Sequence, residues 1–317
     1  MYRAASLVLP FAAVLLLGGC GVEKAGAPGG NSASGCPSRT APAPSGLPYP
    51  TGDASGTEQD GVRIIGVGGA SCDEVRWEVT NTGSRTFTYT ITFGIVSDSG
   101  AVLKSVEQTV PSVEPGRTVR RTLTPPAMGA YGDGSVPFVR ILKVRSVPAD
   151  ETPSAAGPCP ESGVRMYADQ GDAAMGLRVV GIHLENCGTG TYRLNGRPRL
   201  QLLDGGHEPV EGVRVLQGGS GIASGTGADA PPRPLALRPG ERARTTLVWR
   251  NTVELGAGDP VNAPYVRIWA RPGAAPVTVV TELDLGTTGK LGVGAWQKDE
   301  QEAPPSDPYP YPHPTRT

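Results

Sequence analysis

Glycine and proline punctuate this chain so densely, 45 and 32 among 317 residues, that beyond residue 17 no apolar stripe persists at helical spacing. Proline removes a backbone donor and clashes with the preceding turn, and glycine is costly inside a helix, so long helices are excluded. What remains are short apolar runs, and their period is two, the spacing of half-buried strands. From Thr86 to Phe93 the alternation is unbroken: Phe87, Tyr89, Ile91 and Phe93 take one face and four threonines the other. Val75, Trp77 and Val79 repeat it one strand earlier. The chain is therefore expected to be all-β.

In the first half, runs 75–80, 86–93, 102–110, 118–123, 136–142 and 144–147 are separated by turn chemistry such as Asn81-Thr82-Gly83-Ser84 and Val113-Glu114-Pro115-Gly116. Six strands at this spacing fit a sandwich over residues 61–147 that resembles bacterial immunoglobulin-like domains. The threonine row is read as a solvated strand face, with a flat sugar-binding surface as its rival use.

The second half carries a sharper set of motifs. Gly176-Leu177-Arg178-Val179-Val180 precedes Leu184-Glu185-Asn186-Cys187-Gly188, then Tyr192, Asn195-Gly196 and Leu202-Leu203-Asp204. Leu237-Arg238-Pro239-Gly240-Glu241, Trp249-Arg250-Asn251-Thr252-Val253 and Leu285-Gly286-Thr287-Thr288-Gly289 follow in order. Together these resemble an actinobacterial secreted and lipoprotein family, domain of unknown function four-two-three-two, across residues 159–297. The resemblance implies an extracellular β-sandwich of unassigned activity. The chain departs from it in placing a cysteine at 187 rather than near Tyr192, and in reading Gly196-Arg197-Pro198 where the family often has an aromatic.

The halves also echo each other. Gly61-Val62-Arg63-Ile64-Ile65-Gly66-Val67 mirrors Gly176-Leu177-Arg178-Val179-Val180-Gly181-Ile182. Both then show Asn-x-Gly, Pro-Gly and a late strand, Pro137–Ile141 or Pro264–Ile268. The expected architecture is two tandem immunoglobulin-like sandwiches, 61–147 and 159–297, joined by a linker at 148–158.

The N-terminus gives an address. Residues 1–19 hold one charge, Arg3, and an uncharged run of 14 residues, Ala4 to Leu17, that contains Pro10. That is short of the roughly 20 residues a spanning helix needs, so the segment is read as a removable signal. Its end, Leu15-Leu16-Leu17-Gly18-Gly19-Cys20, resembles a bacterial lipobox, which implies lipidation of Cys20 and a lipid-anchored protein on the extracellular face of the membrane. An ordinary secretory signal is the alternative. Residues 20–60 and 298–317 are Gly-, Ala-, Pro- and Ser-rich or Pro-Tyr-rich, and are expected to be a disordered tether and tail. Arg outnumbers Lys by 24 to 5, which with the Ala, Gly and Pro content suggests a high-GC, actinobacterial source.

With Cys20 assigned to lipid, Cys36, Cys72, Cys159 and Cys187 remain, and four thiols allow three pairings. Proximity in sequence favours Cys36–Cys72 and Cys159–Cys187, one staple per sandwich, each contributing roughly 3.5–4 kcal/mol by loop entropy. No Cys-x-x-Cys spacing or His partner supports a metal site, and no cofactor is expected. A Cys36–Cys72 bond would leave about 15 free residues, a tether averaging ~20 Å. That keeps the modules near the bilayer and favours partners at the membrane face.

No catalytic constellation emerges. The histidines are His183, His207 and His313, none in a nucleophile frame. His183 is read as structural, and Asp204, His207 and Glu208 as solvated turn residues rather than metal ligands. Ser220 and Ser224 lack a Gly-x-Ser-x-Gly frame, and Gly218 to Gly227 reads as a mobile glycine-rich loop. Net charge is −1 with signs interspersed, which argues against nucleic acid or a polybasic membrane patch. One surface stands out: Tyr265, Arg267 and Trp269 share a strand face, an aromatic–arginine ladder suited to recognition, or simply a covered face. The expected function is a non-enzymatic binding or envelope-scaffold module with an envelope-protein or cell-wall partner. The alternatives are an enzyme with loop-borne residues, or an accessory subunit of a transporter or sensor.

Overall fold

A computed structural model describes residues 56–68, 74–97, 100–125 and 138–299, all within one compact unit, 37–317. Residues 1–55 and 300–317, with Cys20, Cys36, Cys72 and His313, lie outside the described residues, whereas 56–60 and 298–299, expected to be the ends of the tether and tail, carry strands at Glu58–Gln59 and Gln297–Lys298 and belong to the described residues. Those residues are all-β, with a single 3-10 turn at Ala149–Glu151. They gather round two apolar cores, each enclosed by facing sheets.

In the first sandwich the strands are β1 (Glu58–Gln59), β2 (Val62–Gly68), β3 (Glu74–Thr80), β4 (Phe87–Val96), β5 (Val102–Val113), β6 (Thr118–Leu123) and β7 (Phe138–Pro148). One sheet runs β1-β2-β3-β6 and the other β5-β4-β7. The alternation seen in the sequence puts Trp77 and Val79 of one sheet against Ile91 and Phe93 of the other, with Trp77 and Phe93 rings 5.1 Å apart. The two apolar runs expected at 136–142 and 144–147 are one strand. A bulge at Leu142, where the register with β4 steps from Lys143 to Ile141, breaks the alternation without ending the strand.

In the second sandwich the strands are β8 (Val164–Ala168), β9 (Asp172–Ala174), β10 (Leu177–Asn186), β11 (Tyr192–Leu194), β12 (Arg199–Leu203), β13 (Arg214–Gln217), β14 (Leu235–Leu237), β15 (Arg242–Arg250), β16 (Val261–Trp269), β17 (Val277–Gly286), β18 (Lys290–Val293) and β19 (Gln297–Lys298). The larger sheet runs β13-β18-β15-β10-β8, with β19 on β15 and β9 on β10; the other runs β12-β16-β17, and β11 pairs β14. Cys159 and Cys187 are bonded, closing the start of this sandwich onto the end of β10.

The glycine-rich stretch 218–227, expected to be a mobile loop, has Gly218 and Gly219 packed against the sheet. A side chain on Gly292 would meet the Gly218 carbonyl at 2.5 Å, and one on Gly219 would press on Val248. Asp229 Oδ1 accepts the Gly219 and Ser220 amides at 2.7 and 2.8 Å. Gly219 and Gly292 allow this close approach of backbone to sheet.

Both sandwiches are pinned by the same device. Asn81 directly follows β3 and Asn186 ends β10, and both are buried. The Asn81 side chain donates to the carbonyls of Arg85 and Val113 and accepts the Gly83 amide. Asn186 does the same with Gly190, Leu237 and Gly188. The backbones match too: Asn81 N–H donates to Arg117 and its carbonyl accepts Gly116, while Asn186 pairs likewise with Glu241 and Gly240. Asn-x-Gly and Pro-Gly therefore recur together because one amide joins the two turns. Replacing either asparagine by Ala strands one buried carbonyl, that of Val113 or Leu237, and leaves a part-buried carbonyl and amide unpaired. Each variant should lose about 2–4 kcal/mol, read as a lower urea midpoint, whereas Thr82→Ala in the same exposed turn should change little.

Candidate functional site

The face shared by Tyr265, Arg267 and Trp269 is covered at one end by the first sandwich. Tyr265 is 2% exposed and packs with Val147 and Leu203. Its hydroxyl accepts the Ser146 amide at 3.0 Å, and burial raises its pKa. Arg267 is half-buried and donates to Glu151. Only Trp269 is left toward solvent, with Arg199 stacked on it. The ladder is therefore no open platform, because its first two rungs are used in the joint between sandwiches.

Glu151 is the centre of that joint. It lies in the segment expected to be a linker, on the 3-10 turn directly after β7, yet it is 3% exposed. Arg85 of the first sandwich donates to Oε1 at 2.9 Å, Arg267 of the second to the same oxygen, and Thr278 to Oε2 at 2.6 Å. Arg85 also reaches Asp150 at 2.8 Å.

A second clamp crosses nearby. Arg145 on β7 grips Glu282 on β17 with two hydrogen bonds of 2.9 and 2.8 Å, and Lys143 lies 3.1 Å away. Burial pushes the Glu282 carboxyl up, but Arg145 and Lys143 outweigh it and hold the group below the usual carboxylate range. Glu282 sits at φ +50°, in a bulge where β17 gains a residue against Ala263 and Tyr265 of β16. The bulge, a conformation that disfavours a residue with Cβ, re-aims the carboxylate across the joint.

Between the clamps sits His207. The turn Asp204-Gly205-Gly206-His207 forms as the sequence predicts, with Asp204 Oδ1 accepting the Gly206 and Glu208 amides. At φ +67° the turn swings His207 inward, away from the solvent position expected for it. Its ring stacks on Tyr265 (4.5 Å, 17°) and lies 5.0 Å from Phe87. Nε2 is 3.0 Å from Ser146 Oγ, while Nδ1 is buried without a partner. Burial lowers the His207 pKa, and the Arg85 charge adds to this against Asp204 and Glu151. Tyr89, facing the same space, is pushed up to about 12 by burial. The joint encloses a cleft of about 980 Å³ lined by Phe87, Ser146, His207, Tyr265 and Arg267, among others.

The other sequence candidates lie elsewhere. His183 stacks on Tyr167 and sits between Asp169 and Asp299, at 3.2 and 3.1 Å, on the outer face of β10. Ser220 lies in the stretch packed against the sheet, its amide held by Asp229. Among the described residues no group of three or more His, Cys, Asp or Glu side chains is placed to hold a metal ion, and no helix is long and apolar enough to cross a membrane. Sequence reasoning missed Glu151, Arg85, Arg145 and Glu282; only their charge in an otherwise β-rich run could have marked them.

Residues 159–297 match the model of the family described as a domain of unknown function, DUF4232, and this segment contains the whole second core. No curated protein matches the chain.

Two outcomes follow from the joint. Glu151→Ala takes the shared carboxylate from Arg267 and Thr278 while Arg85 keeps Asp150, and should cost about 1–3 kcal/mol, measured by urea unfolding. The lowered pKa of His207 means that the unfolded chain takes up its proton more readily than the folded one. The stability it contributes is thus present above about pH 6.5 and lost as pH falls through the lower folded value. The melting temperature should drop over that interval, and His207→Asn, which tolerates the left-handed turn, should flatten the drop.

Proposed function

We propose that the protein is a lipid-anchored, extracellular binding or envelope-scaffold module without catalytic activity, built from two tandem immunoglobulin-like domains held as one rigid pair. The observation that carries this reading is the joint. The charged groups there, Glu151, Arg85, Arg145, Arg267 and Glu282, are tied to one another across the two sandwiches. Such pairing fixes an orientation rather than leaving reactive groups free.

Strand pairing supports the immunoglobulin-like assignment. β3 pairs β2 and β6 while β4 pairs β7; β10 pairs β8 and β15 while β12 pairs β16. That is the A-B-E and C-F arrangement of such sandwiches. The matched asparagine pins support descent of both from one duplicated unit. The anchor rests on the Leu15–Cys20 lipobox and the cysteine left over after pairing.

One observation favours a second reading, a serine hydrolase: Ser146 Oγ lies 3.0 Å from a His207 held neutral by burial. Two measurements on the same preparation decide. Cys20→Ala should release the protein from the membrane fraction, and a variant that still partitions wholly with membranes removes the anchor. A fluorophosphonate probe should leave wild-type protein unlabelled; labelling that disappears in Ser146→Ala would replace the scaffold reading with the hydrolase.

A further inference from the structure

Eight arginines among the described residues, from Arg63 to Arg267, have a carboxylate within ion-pair distance. Arg193, Arg197, Arg199 and Arg271 do not, and they share one region of the second sandwich. The sequence explains why no acid among the described residues reaches them. Residues 187–203, 230–240 and 260–281 contain no Asp or Glu, and folding brings them side by side through the β11–β14 and β12–β16 pairings. A chain whose charges are interspersed overall thus builds one locally positive surface.

Three of its guanidinium groups are held in place. Arg199 lies opposite Trp269 in the ladder and flat on its ring, 3.6 Å from the centroid; Arg271 stands 4.8 Å from the Tyr192 ring. Arg197 is fixed through Nε to the Val293 carbonyl at 3.1 Å. A guanidinium stacked on a ring keeps its N–H edge free for bidentate contact with an oxyanion. Two adjoining clefts run across this surface, one of about 440 Å³ beside Arg197, Arg199 and Trp269, the other of about 530 Å³ beside Arg193. Arg271 and Pro272 form the ridge between them.

The charges are divided between the two clefts, Arg193 in one, Arg197 and Arg199 in the other and Arg271 on the ridge between, so they suit successive charges on a chain better than a single ion. We infer that Arg193, Arg197, Arg199 and Arg271, with Trp269, form a binding surface for a linear phosphate-bearing polyanion. The inference rests on the binding-module reading above and names the ligand class of that module.

Inorganic polyphosphate is the probe, titrated into the full-length protein in non-ionic detergent by calorimetry. Four contacts predict that log K falls with log salt with a slope of about −3. Arg199→Gln with Arg271→Gln should weaken binding at least tenfold and shallow that slope. Arg117→Gln with Arg121→Gln, two exposed arginines of the first sandwich without an ion pair among the described residues, should shift it less than twofold. Trp77, Trp249 and Trp296 are buried, so polyphosphate should perturb emission from Trp269, and Trp269→Phe should abolish that signal while calorimetric binding persists. Absence of binding, equal weakening by the two arginine pairs, or tighter binding at matched charge to orthophosphate, polyglutamate or phosphatidylglycerol vesicles overturns the inference. Membrane release by Cys20→Ala is read separately, so failure of the anchor and failure of this surface are told apart.

Discussion

One buried carboxylate sets the relation between the two sandwiches. Removing Glu151 from water costs several kcal/mol, and two guanidinium groups and a hydroxyl offset that cost. Because Arg85 comes from one sandwich and Arg267 and Thr278 from the other, the compensation exists only in one mutual orientation. Arg145 and Glu282 add a second crossing point, and Tyr265, His207 and Phe87 line the space between. The apolar contact there is small, with Val147, Leu203 and Tyr265 its buried members. Burial alone would permit sliding; the directional bonds do not.

The asparagine pins show why the two halves keep their order while their spacings drift. Asn81 and Gly116 are 35 positions apart, Asn186 and Gly240 54, yet each pair makes the same bonds. What must be kept is the amide that ties the first turn to the second, and the chain between is free to grow. In the second sandwich the added length holds β13, which joins the larger sheet parallel to β18, and the glycine-rich stretch laid against that sheet.

Strands and turns were legible because their signals are local. The alternation of Phe87 to Phe93 and the Asp204 to His207 turn need no knowledge of the rest of the chain. Leu142 and Glu282 were not legible as bulges, since an extra residue is defined only against a partner strand. Glu151 was read as linker because acidic residues among prolines and alanines look solvated until two distant arginines close on them. His207 was placed in the right turn and given the wrong surroundings: the turn follows from Asp204 and two glycines, but its inward swing depends on Tyr265 and Phe87.

The face of β16 joins these levels. Its outward positions come every second residue, about 6.7 Å apart, and each step changes the environment. Tyr265 is buried by the first sandwich, Arg267 is held by a carboxylate from it, and Trp269 carries an arginine with no carboxylate in reach among the described residues. The sequence shows three residues on one side of a strand. Their separate roles come from where the first sandwich stops, and Glu151 sets that edge. Past it the strand's neighbours supply arginines without acids, so the same side chain chemistry that locks the joint at Arg267 is free at Arg199 to meet a ligand.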